Sequence, residues 1–397
     1  MSSSVTSEGS SEPPLFTRDF ALVVATQLAF GFAFSAFYLL PKFVVTELHG
    51  TPSQVGYVGA LAVLAAVAVS PLCGKLIDGG GRRPLIVGGC LLTGLSALAF
   101  LGVTEVGTYM YAVRAAQGVA YSMYFVAGTT LVADLAAPSK LSQALGWFGA
   151  AGLVMNAVAT LVAERIAHAF GWHAVFYSSA VAGIVGAVMA LWLREPHHAL
   201  RSAAATAPQI EATAAASRLP VLWAAAAGGA GFGVMFTFTQ PLALSLGDAN
   251  ISPLFTGYTL AALLVRIGFG NVGDRFGRAR VSGSALVLYT MVVAATAGLT
   301  RGWLGAVGLG FGLAHGAFYP SLNALALEQV PPAKRGMVGA YFNAAFNGGT
   351  LLVTFCFGQV AQVYGYRLVF LLVACLTATG CFVLLGKERK PALARPS

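Results

Sequence analysis

The sequence predicts an all-α membrane protein, with twelve transmembrane helices in two pseudo-symmetric six-helix bundles. Three observations carry that expectation. Of 397 residues, 57% are apolar and only 9% charged, where a soluble domain carries roughly 25% charge to meet water; the mean hydropathy is +0.77. Apolar runs of about 20 residues, the length that crosses ~30 Å of hydrocarbon, recur twelve times, and the loop motifs of the first half return in the second. This composition excludes a soluble enzyme, a disordered chain and a disulfide-framed domain. Glycine is enriched, with 48 residues.

Taken in order, residues 1–17 are polar and slightly acidic, without the basic start of a signal peptide, and are read as a cytoplasmic tail. Apolar runs then lie near 20–43, 53–77, 84–104, 107–134, 142–168 and 173–193, and again near 219–246, 252–272, 281–300, 302–328, 336–363 and 366–386. Residues 194–218 are the one long polar stretch inside the chain, rich in Ala, Thr, Pro and charge. The expected organisation is an N-terminal bundle (1–193), a cytoplasmic central loop (194–218) and a C-terminal bundle (219–397). With the N-terminus inside, seventeen lysines and arginines fall on the inner side, and four (Lys42, Arg165, Arg301 and Arg367) fall outside. Cytoplasmic loops carry such an excess. Both termini are therefore expected in the cytoplasm, and the chain in the inner (plasma) membrane.

The net charge of +9 is spread in short groups between apolar runs, as in membrane-protein loops, so no nucleic-acid partner is expected. The cysteines (Cys73, Cys90, Cys356, Cys375 and Cys381) lie in apolar runs without a C-x-x-C pair. No metal site, disulfide or cofactor is expected. No Walker loop or nucleophile motif points to an enzyme.

The halves repeat in the same direction. GKLIDGGGRRP from Gly74 returns as GNVGDRFGRAR from Gly270; Asp134–Pro138–Lys140 returns as Glu328–Pro332–Lys334; GWHAVF from Gly171 returns as GYRLVF from Gly365. LLP ending at Pro41 has a looser echo in TQP ending at Pro241. Same-direction repeats of six spans imply two bundles related by an axis along the membrane normal, able to rock about a site near the bilayer midplane.

The loop between the second and third spans (Gly74, Leu76, Asp78, Gly81, Arg82, Arg83) resembles the G-x-L-x-D-r-x-G-R-[RK] signature of the major facilitator superfamily, with Gly79 and Gly80 departing from it. The second copy (Gly270, Asp274, Arg275, Gly277, Arg278) is nearer the pattern, and Arg114-x-x-Gln117-Gly118 is similar to the family's R-x-x-q-G motif. The resemblance implies the twelve-helix fold, a cavity walled by spans one, four, seven and ten, and loop contacts that lock the halves when the transporter opens outward. Physically, Asp78 and Asp274 can cap a neighbouring helix N-terminus, while Arg82 and Arg278 can pair with Asp134 and Glu328. The alternative for these charges is simple topogenic anchoring.

Within the spans, Arg114 is the costliest group, and it should face the bundle interior. Gln117, Tyr121 and Tyr124 are placed on its face. The resemblance implies a role for Arg114 in proton coupling or with a substrate anion, and the alternative is an internal structural salt bridge. His315, Tyr319 and Asn323 follow at i, i+4 and i+8, and the ~6.5 reference pKa of imidazole makes His315 the best proton-responsive group within a span. Gln27, Phe34 and Tyr38 in span one, with Thr237, Thr239 and Gln240 in span seven, complete the lining. Arg266 in span eight is read either as a substrate-anion ligand or as a snorkelling cation. Span one lacks an acidic residue inside the membrane and span five lacks proline. Both absences weigh against proton-driven drug efflux.

The leading expectation is a secondary active transporter that moves a small organic solute by alternating access, with export coupled to a proton gradient. The alternative is uptake or exchange of a small organic anion such as a monocarboxylate. The reading from another class is a non-transporting membrane receptor or scaffold. The expected partners are the small-molecule substrate, the bilayer and protons, with the protein monomeric.

Overall fold

A computed structural model describes residues 15–195, 219–268, 276–328 and 330–388. Twelve long helices run through them. The first six are α1 (Arg18–Thr46), α2 (Pro52–Gly80), α3 (Arg83–Ala99), α4 (Thr108–Leu135), α5 (Leu141–Phe170) and α6 (Trp172–Ala190). The second six are α7 (Leu219–Ser245), α8 (Ser252–Gly268), α9 (Arg278–Thr296), α10 (Leu304–Ala326), α11 (Pro332–Tyr364) and α12 (Tyr366–Glu388). Among the described residues, nine are long and apolar enough to cross a membrane; α4, α8 and α10 are the others. Of these, α4 and α10 carry the polar groups Arg114–Gln117 and His315–Asn323, and α8 is described over only 17 residues.

The packing repeats as the sequence does. In the first bundle α2 lies on α4, α3 on α4 and α6, and α1 on α5 and α6; in the second, α8 lies on α10, α9 on α10 and α12, and α7 on α11 and α12. The most extensive contacts between the bundles are α2 with α11 and α5 with α8, and α7 also touches α1 and α2. The turns repeat too. Gly81 (φ +86°) and Gly277 (φ +88°) bend the corresponding loop motifs, and Gly171 (φ +80°) and Gly365 (φ +83°) end the corresponding helices. Only glycine adopts these angles without strain.

Hydrophobicity does not draw helices together in lipid, so close backbone approach must. A Cβ on Gly312 of α10 would strike the Tyr258 carbonyl of α8, and one on Gly183 of α6 would lie 2.8 Å from Gly94 of α3. The glycine enrichment has its use at such crossings.

Two spans expected to be continuous are broken. In α1 the segment Ala36–Leu39 is a tighter 3-10 turn before the helix resumes at Leu40. In α7 the helix stops at Thr237 and resumes at Thr239. Pro41 and Pro241 explain both breaks. Each lacks an N–H, and each ring collides with the carbonyl four residues back, at Phe37 and Thr237. Helix α11 starts at Pro332, four residues before the expected 336, because proline suits the first turn.

Candidate functional site

The two ends of the inter-bundle interface differ. At the end bearing the N-terminus of α2, a Cβ on Gly56 would strike the Thr354 carbonyl of α11, and one on Gly358 would lie 2.9 Å from the Pro52 carbonyl. Ser53 Oγ donates to Gln362 Oε1 at 2.5 Å, and Gln359 Nε2 donates to the Tyr57 hydroxyl. A buried apolar core runs without interruption from Phe37, Val58 and Phe100 into Phe238, Phe255 and Phe311 of the other bundle. At the opposite end of the same helices, a Cβ on Gly74, Gly79 or Gly80 of α2, or on Gly339 of α11, would meet nothing within 4 Å among the described residues. The apolar core there (Phe20, Ile77, Leu131, Phe148) stays within the first bundle. Among the described residues, the bundles are joined at one end and parted at the other.

The joined end holds a buried charge. Glu164 of α5, 8% exposed, accepts from Lys42 Nζ at 2.5 Å and from the backbone N–H groups of Ile251 (2.8 Å) and Ser252 (2.6 Å). Those N–H groups begin α8, where the helix dipole favours an anion. Lys42 also donates to the Ala249 carbonyl at 2.5 Å. Beneath this, Gln240 is fully buried, and its amide donates to the Tyr38 carbonyl (2.7 Å) and to the Phe236 carbonyl (2.9 Å). One side chain thus ties the two proline breaks together. The Tyr38 ring stacks on Phe255 at 5.9 Å and meets Phe236 at 5.5 Å.

Below the breaks lies the polar centre. Gly118 lets α4 close on the Ala62 carbonyl of α2. One turn away, Arg114 Nε donates to the Val58 carbonyl (3.1 Å) and its Nη1 to Gln117 Oε1 (2.5 Å). No carboxylate among the described residues pairs with Arg114. Tyr121, seven residues on, returns to Arg114's side and packs on Phe34 at 4.9 Å. Tyr124 is placed elsewhere: it is 1% exposed and stacks on Phe30 at 3.8 Å, inside the core of the first bundle. Ten residues turn a helix by about 1000°, which leaves Tyr124 about 80° away from Arg114.

From the second bundle, His315 Nδ1 shares a hydrogen bond with the Tyr258 hydroxyl at 2.9 Å. Its ring is lined by Phe232, Phe311, Tyr319 and Phe346 at 5.1–6.0 Å. Tyr319 donates to Asn343 Oδ1 at 2.9 Å. Arg266 reaches across the seam, its Nη1 3.9 Å from the Cβ position of Gly149 on α5. The Gln27 amide lies 2.7 Å from the Cβ position of Gly152, and Thr237 faces Gly59 of α2. Tyr121 and Tyr258 are each within electrostatic reach of Tyr38 and Tyr319; Arg114 acts on Tyr38, and Arg266 acts on Tyr258, Tyr319 and His315. Gln27 Oε1, Gln117 Nε2, Arg266 Nε, His315 Nε2 and Asn323 Oδ1 are buried without a partner among the described residues. A set of unpartnered groups drawn from both bundles suits binding of a polar solute.

At the parted end Arg82, 5% exposed, pairs with Asp134 at 2.9 Å. Glu195, just past α6, accepts from the Arg83 N–H at 2.6 Å, beside Gly81. Arg278 opens α9 and Glu328 is exposed just past α10. Gly270, Asp274 and Arg275 lie outside the described residues, as does the side chain of Asp78. Among the described residues no group of three or more His, Cys, Asp or Glu gathers as metal ligands would.

The sequence profile described as Major Facilitator Superfamily matches residues 22–252 and 234–397. The chain belongs to the major facilitator superfamily. Among its relatives, multidrug resistance protein MdtG of Erwinia billingiae (strain Eb661) is 23% identical over 378 residues, covering 87% of this facilitator and 88% of that protein. The bicyclomycin resistance protein homolog of Haemophilus influenzae is 26% identical over 166 residues, and the alignment spans only 40% of either chain. The fold matches the solved structures of the nucleoside transporter NupG (TM-score 0.73, 17% identity, 94% of this chain and 100% of that one) and of the human organic anion transporter MFSD10 (0.70, 16%, 94% and 100%). This facilitator is a multi-pass membrane transporter.

Sequence reasoning missed Tyr258, Glu195 and the role of Glu164. Tyr258 carried no signal beyond an aromatic in an apolar run. Glu195 sat in a segment read as loop. Glu164 lies in the last turns of span five, where a carboxylate can sit at the membrane interface or cap a neighbouring helix.

Proposed function

We propose that this facilitator exports small organic solutes by alternating access, driven by protons, from the inner membrane with both termini in the cytoplasm, and that it works as a monomer. The observation that carries this reading is the interface closed at one end and parted at the other, with unpartnered polar groups between. The excess of lysine and arginine on the inner side supports a cytoplasmic parted end, and with it a conformer ready to load a cytoplasmic solute. Residues 1–193 and 219–397 then rock as two bodies about the contacts α2–α11 and α5–α8, with 194–218 as a cytoplasmic connection. Export follows the direction implied by relatives named for multidrug and bicyclomycin resistance. In this scheme His315 and the tyrosines bind solute, and the Glu164 latch must open to release it.

Reconstituted vesicles with an imposed pH gradient, offered sugars, carboxylates and cationic dyes, test the proposal. Gradient-dependent movement of at least one class is the expected result. No flux of any class would favour a receptor or scaffold. Gradient-independent exchange of carboxylates would favour the second reading, uptake or exchange of a small organic anion, for which the absence of a carboxylate beside Arg114 among the described residues speaks.

A further inference from the structure

We infer that Gln240 couples the contents of the polar centre to opening of the joined end. Its amide holds the backbones of Tyr38 and Phe236, and the rings of those same two residues roof the cavity. A solute that moves the rings releases the amide. This rests on the transporter reading and adds to it the residue through which a bound solute reaches the joined seam.

The sequence of α7 sets out the device. Phe232, Phe236 and Gln240 follow at i, i+4 and i+8, on one helical face. The two rings are half-buried, whereas Gln240 is 0% exposed. The stripe therefore runs from the cavity into the joined end. On α1, Phe34 and Tyr38 are half-buried in the same way, and Tyr38 lies 5.5 Å from Phe236. From Tyr38 a series of rings leads through Phe34 to Tyr121, at 6.1 and 4.9 Å. From Phe236 another leads through Phe232 to His315, at 4.4 and 5.1 Å. A solute held between the bundles presses on these two series.

The orientation of the amide is fixed by its neighbours. Both groups in reach of Nε2 are carbonyls, that of Tyr38 at 2.7 Å and that of Phe236 at 2.9 Å, so the NH2 faces them and Oε1 faces away. One bond crosses between the bundles, and the other spans the break in α7 itself. Oε1 is buried without a partner among the described residues. Two neutral hydrogen bonds gain about what one orphaned buried acceptor costs, so the bridge is nearly balanced. Opening hydrates Oε1, and a small displacement of either carbonyl tips the balance. The break needs no such residue, because the equivalent position before Pro41 is Leu40, buried and apolar. The device responds to bulk against the rings, so solutes of different charge can trigger it alike.

The test uses the full-length protein with its five native cysteines replaced and a single cysteine at Ser53, which lies in the joined α2–α11 seam and is 5% exposed. Its rate of labelling by a polar maleimide in detergent reports how often that end opens. Phe232→Trp stands in for a solute, since the larger ring crowds Phe236. With Gln240 in place it is expected to speed labelling roughly tenfold, a modest overpacking strain. In Gln240→Met, which removes both bonds, the same change is expected to speed labelling less than about threefold.

Gln240→Glu supplies a readout that packing alone would not move. Protonated, its hydroxyl can donate to one carbonyl; ionised, it sets acceptors against both. Its labelling rate, divided by that of the Gln240 protein at each pH, should therefore rise with pH. The ionisable side chains on the segments around position 240 (Tyr38, Lys42, Glu164, Tyr258 and Tyr366) are shared by both proteins, so their own titration cancels. If Gln240→Met does not fold, the Phe232→Trp acceleration and the Gln240→Glu profile decide. Equal acceleration by Phe232→Trp in both backgrounds, no acceleration in either, or a flat Gln240→Glu profile would overturn the inference. Vesicle flux separates the two levels: unequal acceleration without flux of any solute refutes transport and keeps the bridge, whereas flux with equal acceleration refutes the bridge and keeps transport.

Discussion

The two seams between the bundles occupy equivalent places, α5 on α8 and α11 on α2, yet they are closed by different chemistry. The N-terminus of α2 is capped by its own chain: Thr51 Oγ1 accepts from the Gln54 N–H, and the Gln54 side chain accepts from the Thr51 N–H. It is therefore free to pack against Gly358 of α11 with neutral contacts. The N-terminus of α8 takes its acceptor from the opposite bundle, in Glu164, and that carboxylate is balanced by Lys42. At the position 194 residues after Glu164 the second half has Gly358. Pseudo-symmetry thus sets which helices meet, and the residue at one equivalent position sets whether the seam is latched by charge or by shape. A charged latch is strong when complete and costly when half-made, so this seam should govern when the joined end opens.

The sharpest way to break the comparison is Glu164→Gln. Breaking a mostly buried ion pair costs roughly 3–5 kcal/mol, so the joined end should open in most molecules, and transport should fall because closure becomes rate-limiting. Adding Lys42→Met should restore much of the closure, since replacing both partners is far cheaper than orphaning one. Thiol labelling of a cysteine placed at Asn250 reads this directly; equal labelling in single and double variants would show that the pair is not the latch. Next in size is Gly358→Val at the other seam. Its Cβ would sit 2.9–3.0 Å from Pro52 and Ser53, and overpacking costs about 1–3 kcal/mol. Both seams should then loosen together, but less than in Glu164→Gln, and Lys42→Met should not rescue them. The smallest effect is expected from Gln362→Ala, which removes one neutral hydrogen bond worth about 0.5–1.5 kcal/mol; its transport rate should stay within about tenfold of the starting protein. A larger loss than in Glu164→Gln would reverse the assignment of the two seams.

Much of the fold is legible in the sequence, because bilayer thickness imposes a length on each apolar run and the loop motifs repeat. The positive-φ turns at Gly81 and Gly277 fall where the repeated motifs place glycine, and Arg82 meets Asp134 as the spacing suggests. What escapes the sequence is what depends on convergence in space. Pro41 and Pro241 are visible in the chain, but that Gln240 would bridge both breaks requires knowing that α1 and α7 meet. Glu164 and Ile251 are 87 residues apart, and no spacing rule links them. Tyr124 shows a related limit, since helical spacing over ten residues accumulates enough rotation to move a side chain from the cavity to the core. Arg114 is identifiable as a buried cation from its depth alone, whereas its partners, the Val58 carbonyl and Gln117, are set by the close approach at Gly118.

The central claim is that the two ends open reciprocally about the polar centre, with Glu164 holding the joined end shut. Spin-label distances test it most directly, in a protein whose five native cysteines have been replaced, with one label pair at His49 and Arg301 and another at Lys140 and Glu328. With Glu164 present, the first pair should give one short distance and the second a longer one. In Glu164→Gln the first distance should lengthen as the second shortens, in the same fraction of molecules. Lengthening of the first pair with no change in the second would contradict alternating access, and no change in either would contradict the latch.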